Sequence, residues 1–492
     1  MKNQEKGFWS SPLAASLVKG DTVRLPEMLF GYFIGPFGAL LASGIYTSIL
    51  QNYFTDVLKL DLNFLTGLQL FSTILIVAAN LIVGQLIERT HCLAGKARPW
   101  ILLSALTLSV ASVLMFIVPF EGVTRMVWIA IAYNLFYAVA YPIYNTANST
   151  LIPVSTRNSQ QRSALASFTN VAGLGVMGVG SMIFPMLVSF ALKEDQGRWF
   201  LAMLAVAIFT ALTVLLQYKF TRERVTEELQ ASGTPGAGGQ TGQHAATAPL
   251  ATQLQAIASE KWWWIVILFY LFFQWSGAMK NGSMAYFCKW VMDNTFFGSA
   301  DAWGASQSLL AVLGAIPMAV AALFVVPLSN RFSKRLVCMA GMLLGAVGGV
   351  IAGLGNGQIV PVAIGVALKC FGSAPACYLI LAMLADVIDH IEYRRGIRTD
   401  GLTMSIYSSI MVAGTPVCNA IFSGILNAVG YNQSADVALG TAAQSAAAQS
   451  AITISYIWVE TVCYAVCALL ILFWTVEKNL PAEQAEIARR KG

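Results

Sequence analysis

Charge is what this chain has least of. Only 11% of its 492 residues are Asp, Glu, Lys or Arg, against about 25% in a soluble globular domain. With 57% hydrophobic residues, that scarcity excludes a water-soluble fold for most of the chain. Histidine is nearly absent: His91, His244 and His390 are all there are. They fall between the apolar stretches, and no nucleophile–base pattern accompanies them, which argues against an enzyme. The eight cysteines stand singly, mostly inside apolar stretches, and form no Cys-x-x-Cys. They read as buried reduced thiols, with no metal or cofactor implied. Met1 to about Pro26 has no apolar core ahead of a small-residue cleavage site, so no signal peptide is expected. The net charge of +6 does not point to nucleic acid, because the basic residues sit in short segments between apolar runs.

What is abundant is apolar sequence in runs of about twenty residues, the length that crosses a hydrocarbon layer. Twelve candidate spans lie near 28–54, 63–88, 99–119, 126–152, 164–192, 198–220, 262–290, 304–328, 336–355, 359–385, 401–429 and 451–476. The intervening region 221–261 contains Thr234-Pro235-Gly236-Ala237-Gly238-Gly239-Gln240 and no run long enough to cross. It reads as a flexible linker whose ends can be helical. The expected organisation is an N-terminal segment 1–27, a six-helix bundle 28–220, the linker 221–261, a second bundle 262–476 and a tail 477–492. Of the 30 Lys and Arg, only Lys59, Arg125, Lys193, Arg198 and Lys289 fall outside if both termini face the cytoplasm, and Lys280 and Lys369 lie within spans. The rest are inside, so the positive-inside bias predicts a multi-pass protein of the cell membrane with cytoplasmic termini.

Ionisable groups at membrane depth are candidates for function. Lys369 precedes Asp386 by seventeen residues, roughly 25 Å along a helix, which puts it in the outer half of span ten. Glu460 sits similarly deep in span twelve. Lys280 follows Trp275 and Gly277 near the outer end of span seven, where snorkelling to the interface is the plainer reading. A Lys369–Glu460 ion pair is one reading; the other is a Lys369 ammonium facing a cavity, suited to an anionic solute such as a uronide or sulfo-sugar. In span four, Tyr137, Tyr141, Tyr144 and Asn148 follow three- and four-residue spacing, with Asn145 beside them, so one face is wet. Trp275 is deep enough to stack on a sugar ring. The substrate-contacting candidates are therefore Tyr137, Tyr141, Asn145, Asn148, Trp275 and Lys369. Trp262, Trp263 and Trp264 beside Lys261 read as an interfacial belt.

The most distinctive string is Asp386-Val387-Ile388-Asp389-His390-Ile391-Glu392, followed by Gly396, Arg398, Asp400 and Gly401. A bilayer centre cannot carry that many charges, so the run must lie in water at a membrane edge. With Gly31-Tyr32-Phe33-Ile34-Gly35-Pro36-Phe37-Gly38, Tyr53-Phe54-Thr55-Asp56, and Gly95-Lys96-Ala97-Arg98-Pro99-Trp100, it resembles the glycoside–pentoside–hexuronide:cation symporters, the melibiose carrier group. Arg162, Leu165 and Ser167 are similar to that family's loop after helix four. The resemblance covers about residues 25–475. It implies an all-α polytopic membrane protein with twelve transmembrane helices in two six-helix bundles, the major facilitator fold. It further implies alternating access, a small polar solute such as a sugar or glycoside, and a coupling cation, Na+ or H+. A functional monomer surrounded by lipid is expected, with no nucleic-acid partner. The Asp386–Gly401 run is expected between helices ten and eleven. There Asp386, Asp389, Glu392 and Arg398 would serve as a cytoplasmic gate, with Arg98 and Arg162 among the opposing basic groups.

The departures concern coupling. Where the family places carboxylates in helices one, two and four, this chain has Leu40, Ile76, Asn80 and Asn145. An amide offers one neutral oxygen to a cation and does not titrate. The family's coupling site therefore reads as dismantled, which brings a uniporter or exchanger, a carrier of an amphiphile, or a non-transporting sensor into view.

Overall fold

A computed structural model describes residue 14 and residues 16–20, 22–90, 92, 94–156, 159–225, 250–397 and 399–491. Every regular element among the described residues is a helix. Ten helices are long and apolar enough to cross a membrane, and two shorter apolar segments, Arg98–Leu114 and Gly178–Leu192, complete the set. In order they are α1 (Glu27–Val57), α2 (Leu62–Glu88), α3 (Arg98–Leu114), α4 (Gly122–Ser155), α5 (Ser159–Leu187) and α6 (Gln196–Phe220). A short α7 (Leu250–Ala258) leads into α8 (Lys261–Trp290), α9 (Trp303–Phe332), α10 (Lys334–Leu354), α11 (Ile359–Arg395), α12 (Asp400–Ala428) and α13 (Ala446–Lys478). A final amphipathic helix, α14 (Leu480–Lys491), follows. Residues 226–249, most of the expected linker, lie outside the described residues.

The chain divides into two compact units. One comprises 1–50, 67–184 and 191–243; the other comprises 51–66, 185–190 and 244–492. The short segments 51–66 and 185–190 thus pack with the second unit although most of their parent helices belong to the first.

Each unit is knit by close backbone approach at glycine, as expected where lipid supplies no hydrophobic drive between helices. In the first unit, a methyl group at Gly35 would lie 2.6 Å from the Gln217 Cβ, and one at Gly38 would lie 2.3 Å from the Thr210 Cα. The glycine-rich opening of α1 is therefore its seam with α6. In the second unit, α10 and α11 meet so tightly that a methyl at Gly348 would lie 2.7 Å from the Gly365 carbonyl oxygen.

The charged run is helical, which corrects its expected placement in a loop. α11 has 37 residues, roughly 55 Å at 1.5 Å per residue, against a hydrocarbon layer of about 30 Å. Its last turns project beyond that layer and carry Asp386 to Glu392, and Gly396 (φ +67°) ends the helix in the left-handed conformation. The Trp belt is also only partly a belt: Trp264 is exposed, whereas Trp263 is buried and donates from Nε1 to Thr403 Oγ1 (3.1 Å).

Candidate solute site and charged clusters

In the first unit, α4 loosens into a wider, π-type turn over Leu135–Ala140, a distortion common at functional sites. The turn carries Tyr137, whose ring lies 4.6 Å from that of Tyr133 and 6.4 Å from that of Tyr46. Tyr141, a turn further on, is half-buried and accepts from Ser43 Oγ (3.3 Å). Two members of the expected wet face are engaged by α6: Tyr144 donates to Gln217 Oε1 (3.2 Å), and Gln217 Nε2 donates to Asn148 Oδ1 (2.6 Å). Asn145 is different. It is half-buried beside Tyr141, and among the described residues neither its amide nor the Tyr137 hydroxyl has a hydrogen-bond partner. Of the other positions where the family resemblance implies carboxylates, Leu40 is half-buried and Ile76 buried. Asn80 spends its amide N–H on the Ile76 carbonyl of its own helix (2.8 Å).

In the second unit, Trp275 is half-buried, donates to the Ile410 carbonyl (3.2 Å) and packs on α12. The buried lysine does not present a bare ammonium. Lys369 Nζ lies 2.5 Å from Glu460 Oε2, and Lys280 Nζ lies 3.2 Å from Glu460 Oε1. The Tyr464 hydroxyl donates to the same carboxylate (2.8 Å). Of the three charged side chains, Glu460 and Lys369 are 1% and 3% exposed and Lys280 is 20% exposed. A π-type turn, Ile454–Trp458, precedes Glu460, and the Ile457 carbonyl within it accepts from Lys369 Nζ (3.4 Å). Lys280 is thus held by Glu460 rather than snorkelling, and Lys369 is sealed from solute by the same carboxylate.

The acidic end of α11 is tied down within its own unit. Asp386 pairs with Lys334 Nζ (2.6 Å), Asp389 accepts from Gln484 (2.9 Å), and His390 Nδ1 lies 2.8 Å from Glu483 Oε2 on α14. Arg394 pairs with Glu260 (2.9 Å), and Glu392 is buried. Arg398 lies outside the described residues, as does the side chain of Arg162. Arg98 is buried in the first unit, donating to the carbonyls of Ala94, Ala14 and Tyr218 and stacking 4.7 Å from the Tyr218 ring. In this structure it is a structural hub of its own unit rather than an exposed gate residue. Beside it, Glu223 accepts from the backbone N–H groups of Lys96, Ala97 and Arg98 (2.7, 2.7 and 2.8 Å), capping α3. Gly95, at φ +105°, lets the chain pass against that carboxylate. A carboxylate on three N–H groups at a helix start is the favoured arrangement.

A further cluster was missed from sequence. Asp56, in the segment that packs with the second unit, pairs with Lys289 (2.5 Å) and accepts from Tyr431 and Asn52 (2.9 and 2.8 Å), all buried. Its signal was available: Lys289 belongs to the few basic residues on the sparsely charged side.

The sequence model of the family described as MFS/sugar transport protein matches residues 31–478. The chain therefore belongs to that family of membrane transporters. Its sequence is 28% identical over 484 residues to the isoprimeverose transporter of Lactiplantibacillus pentosus, covering 97% of this chain and 94% of the relative. It is 21% identical to the glucuronide carrier protein homolog of Escherichia coli (strain K12), covering 82% and 84%. Among solved structures, the nucleoside transporter NupG matches with a TM-score of 0.60 at 12% identity, over 92% of this chain and all of that one. A bacterial homolog of the lysosomal transporter Spinster matches at 0.63, 12% identity, over 94% and 99%. These likenesses give the fold: a major facilitator architecture.

Proposed function

We propose that this protein moves a glycoside-type sugar across the cell membrane by alternating access, opening its path to one side at a time. The observation that carries this reading is the half-buried Tyr137–Tyr141–Asn145 surface of α4. Sugars are held by aromatic faces against their C–H edges and by fixed amide and hydroxyl groups for their OH groups. Asn145 and Tyr137 supply such groups without protein partners among the described residues. A neutral disaccharide such as isoprimeverose, carried by a relative of nearly equal length, is the first solute to try. Sodium is not the expected driver, because Leu40, Ile76 and Asn80 bring no carboxylate to helices one and two where the family places them.

The test is a thermal-shift panel on the purified protein with isoprimeverose, other xylosides and glucuronides, each with and without sodium. A ligand at a hundredfold excess over its Kd adds about 2.7 kcal/mol to apparent stability. A sodium-independent shift that Asn145→Leu abolishes is the expected result. Shifts unchanged in Asn145→Leu would move the site elsewhere.

A further inference from the structure

We propose that Lys280, Glu460 and Lys369 form a proton-binding relay that supplies the coupling the first half of the chain has lost. The site is separate from Leu40, Ile76, Asn80 and Asn145, the positions where the family resemblance implies coupling groups. Two lysines, from α8 and α11, converge on one carboxylate of α13, at 3.2 and 2.5 Å. Two amines face a single acid, so the cluster carries one proton too many for neutrality if both amines are ammonium. In a low-dielectric interior an uncompensated charge is strongly disfavoured, and lysine escapes that cost by giving up its proton.

The neighbours do not cancel the excess. Among the described residues the titratable groups around the cluster are Cys370, Tyr456, Cys463 and Tyr464, none of which is a fixed charge. α9 between Trp303 and Asn330, α10 after Arg335 and α12 after Asp400 contain no Asp, Glu, Lys or Arg. α10 instead presents glycine: a methyl at Gly345 would lie 2.6 Å from the Tyr464 ring, and one at Gly349 would lie 1.9 Å from Thr461 Oγ1. The cluster is thus packed shut on that side, and the contrast between Lys280 at 20% exposure and Glu460 and Lys369 at 1% and 3% gives it a direction. Lys280 is the open member, Glu460 the bridge and Lys369 the sealed end.

At rest the relay holds Lys280 as ammonium, Glu460 as carboxylate and Lys369 as neutral amine. On loading, Lys280 passes its proton to Glu460, Glu460 passes a proton to Lys369, and Lys280 is reprotonated from water. The balance is one proton taken up, with no bond to carbon or sulfur changed. The Tyr464 hydroxyl and the Ile457 carbonyl hold the carboxylate and the sealed amine in line for that transfer. This inference goes beyond the sugar reading, and its deciding readout, the pH-driven transient, uses no solute, so either can fail alone.

The experiment is a pH jump on proteoliposomes adsorbed to a solid-supported membrane, recording charge displacement. A step from about pH 9 to about pH 5 is wide enough for a desolvated amine to change state. The wild-type protein is expected to give a transient that Lys369→Met and Lys280→Met each lose, while Lys261→Met, at an exposed position, keeps it. Absence of a transient from the wild type would overturn the proposal whatever the variants do. So would a full transient in a monodisperse Lys369→Met protein. If the wild type gives no transient and a uronide, but no neutral glycoside, binds in a Lys280-dependent way, the excess charge serves the solute instead.

Discussion

At the scale of single residues, the buried ion pairs divide into those built for rigidity and those left open. Arg224 holds Glu27 through two parallel bonds of 2.9 and 2.7 Å, both side chains nearly sealed. A lysine cannot reproduce that fork, so Arg224→Lys is expected to lower the melting temperature in detergent, and Glu27→Ala to cost about 3–5 kcal/mol, as stranded buried charges do. The pair Asp56–Lys289 is equally enclosed, and Lys289→Met is expected to cost a similar amount, about 3–5 kcal/mol, by leaving Asp56 unpaired; a change within about 0.5 kcal/mol would show the carboxylate to be solvated. Sequence reading located Lys280, Lys369 and Glu460 as deep charges, because a charge in an apolar run stands out. It could not say that the two lysines share one acid, since the partners come from three helices far apart in the chain. Asp56 stood out only as part of a motif and without a partner, since Lys289 lies 233 residues further along the chain. The polar spacing of α4 was legible as a pattern, whereas the capture of Tyr144 and Asn148 by Gln217 was not: polar groups on one face can turn onto a neighbouring helix.

At the scale of elements, glycine placement and helix overrun matter most. The spans were legible from twenty-residue hydrophobicity, yet the end of α11 was not, because a charged run after an apolar one looks the same whether the helix stops or continues into water. Continuation brings Asp386, Asp389 and His390 against Lys334 and α14. Cutting the chain after Asn479 removes Glu483 and Gln484, the partners of His390 and Asp389. It is expected to raise hydrogen exchange in the last turns of α11 while the rest of that helix stays protected; unchanged exchange there would mean that α14 contributes no local stability. At the α10–α11 contact, Gly348→Leu forces side-chain atoms into the Gly365 carbonyl. Its expected cost is about 1–3 kcal/mol or more from overpacking, visible as a lower melting temperature, whereas the same change at Gly84, where a Cβ meets nothing within 4 Å, should be tolerated.

At the scale of the whole molecule, membership of the sugar-transport family gives the transporter role. The proposed solute surface is on α4, where Asn145 and Tyr137 have no hydrogen-bond partner among the described residues, and the proposal does not rely on sodium. Glycoside transport is the central claim, and exchange without any ion gradient isolates it from the question of coupling. The direct measurement is counterflow of labelled isoprimeverose into proteoliposomes preloaded with the unlabelled sugar, with sodium replaced by potassium, for the wild type and Asn145→Leu. The account predicts transient accumulation in the wild type, indifferent to that replacement and lost in the variant. Absence of accumulation for isoprimeverose and also for preloaded xylosides and glucuronides, from a protein that is folded and inserted, would contradict it.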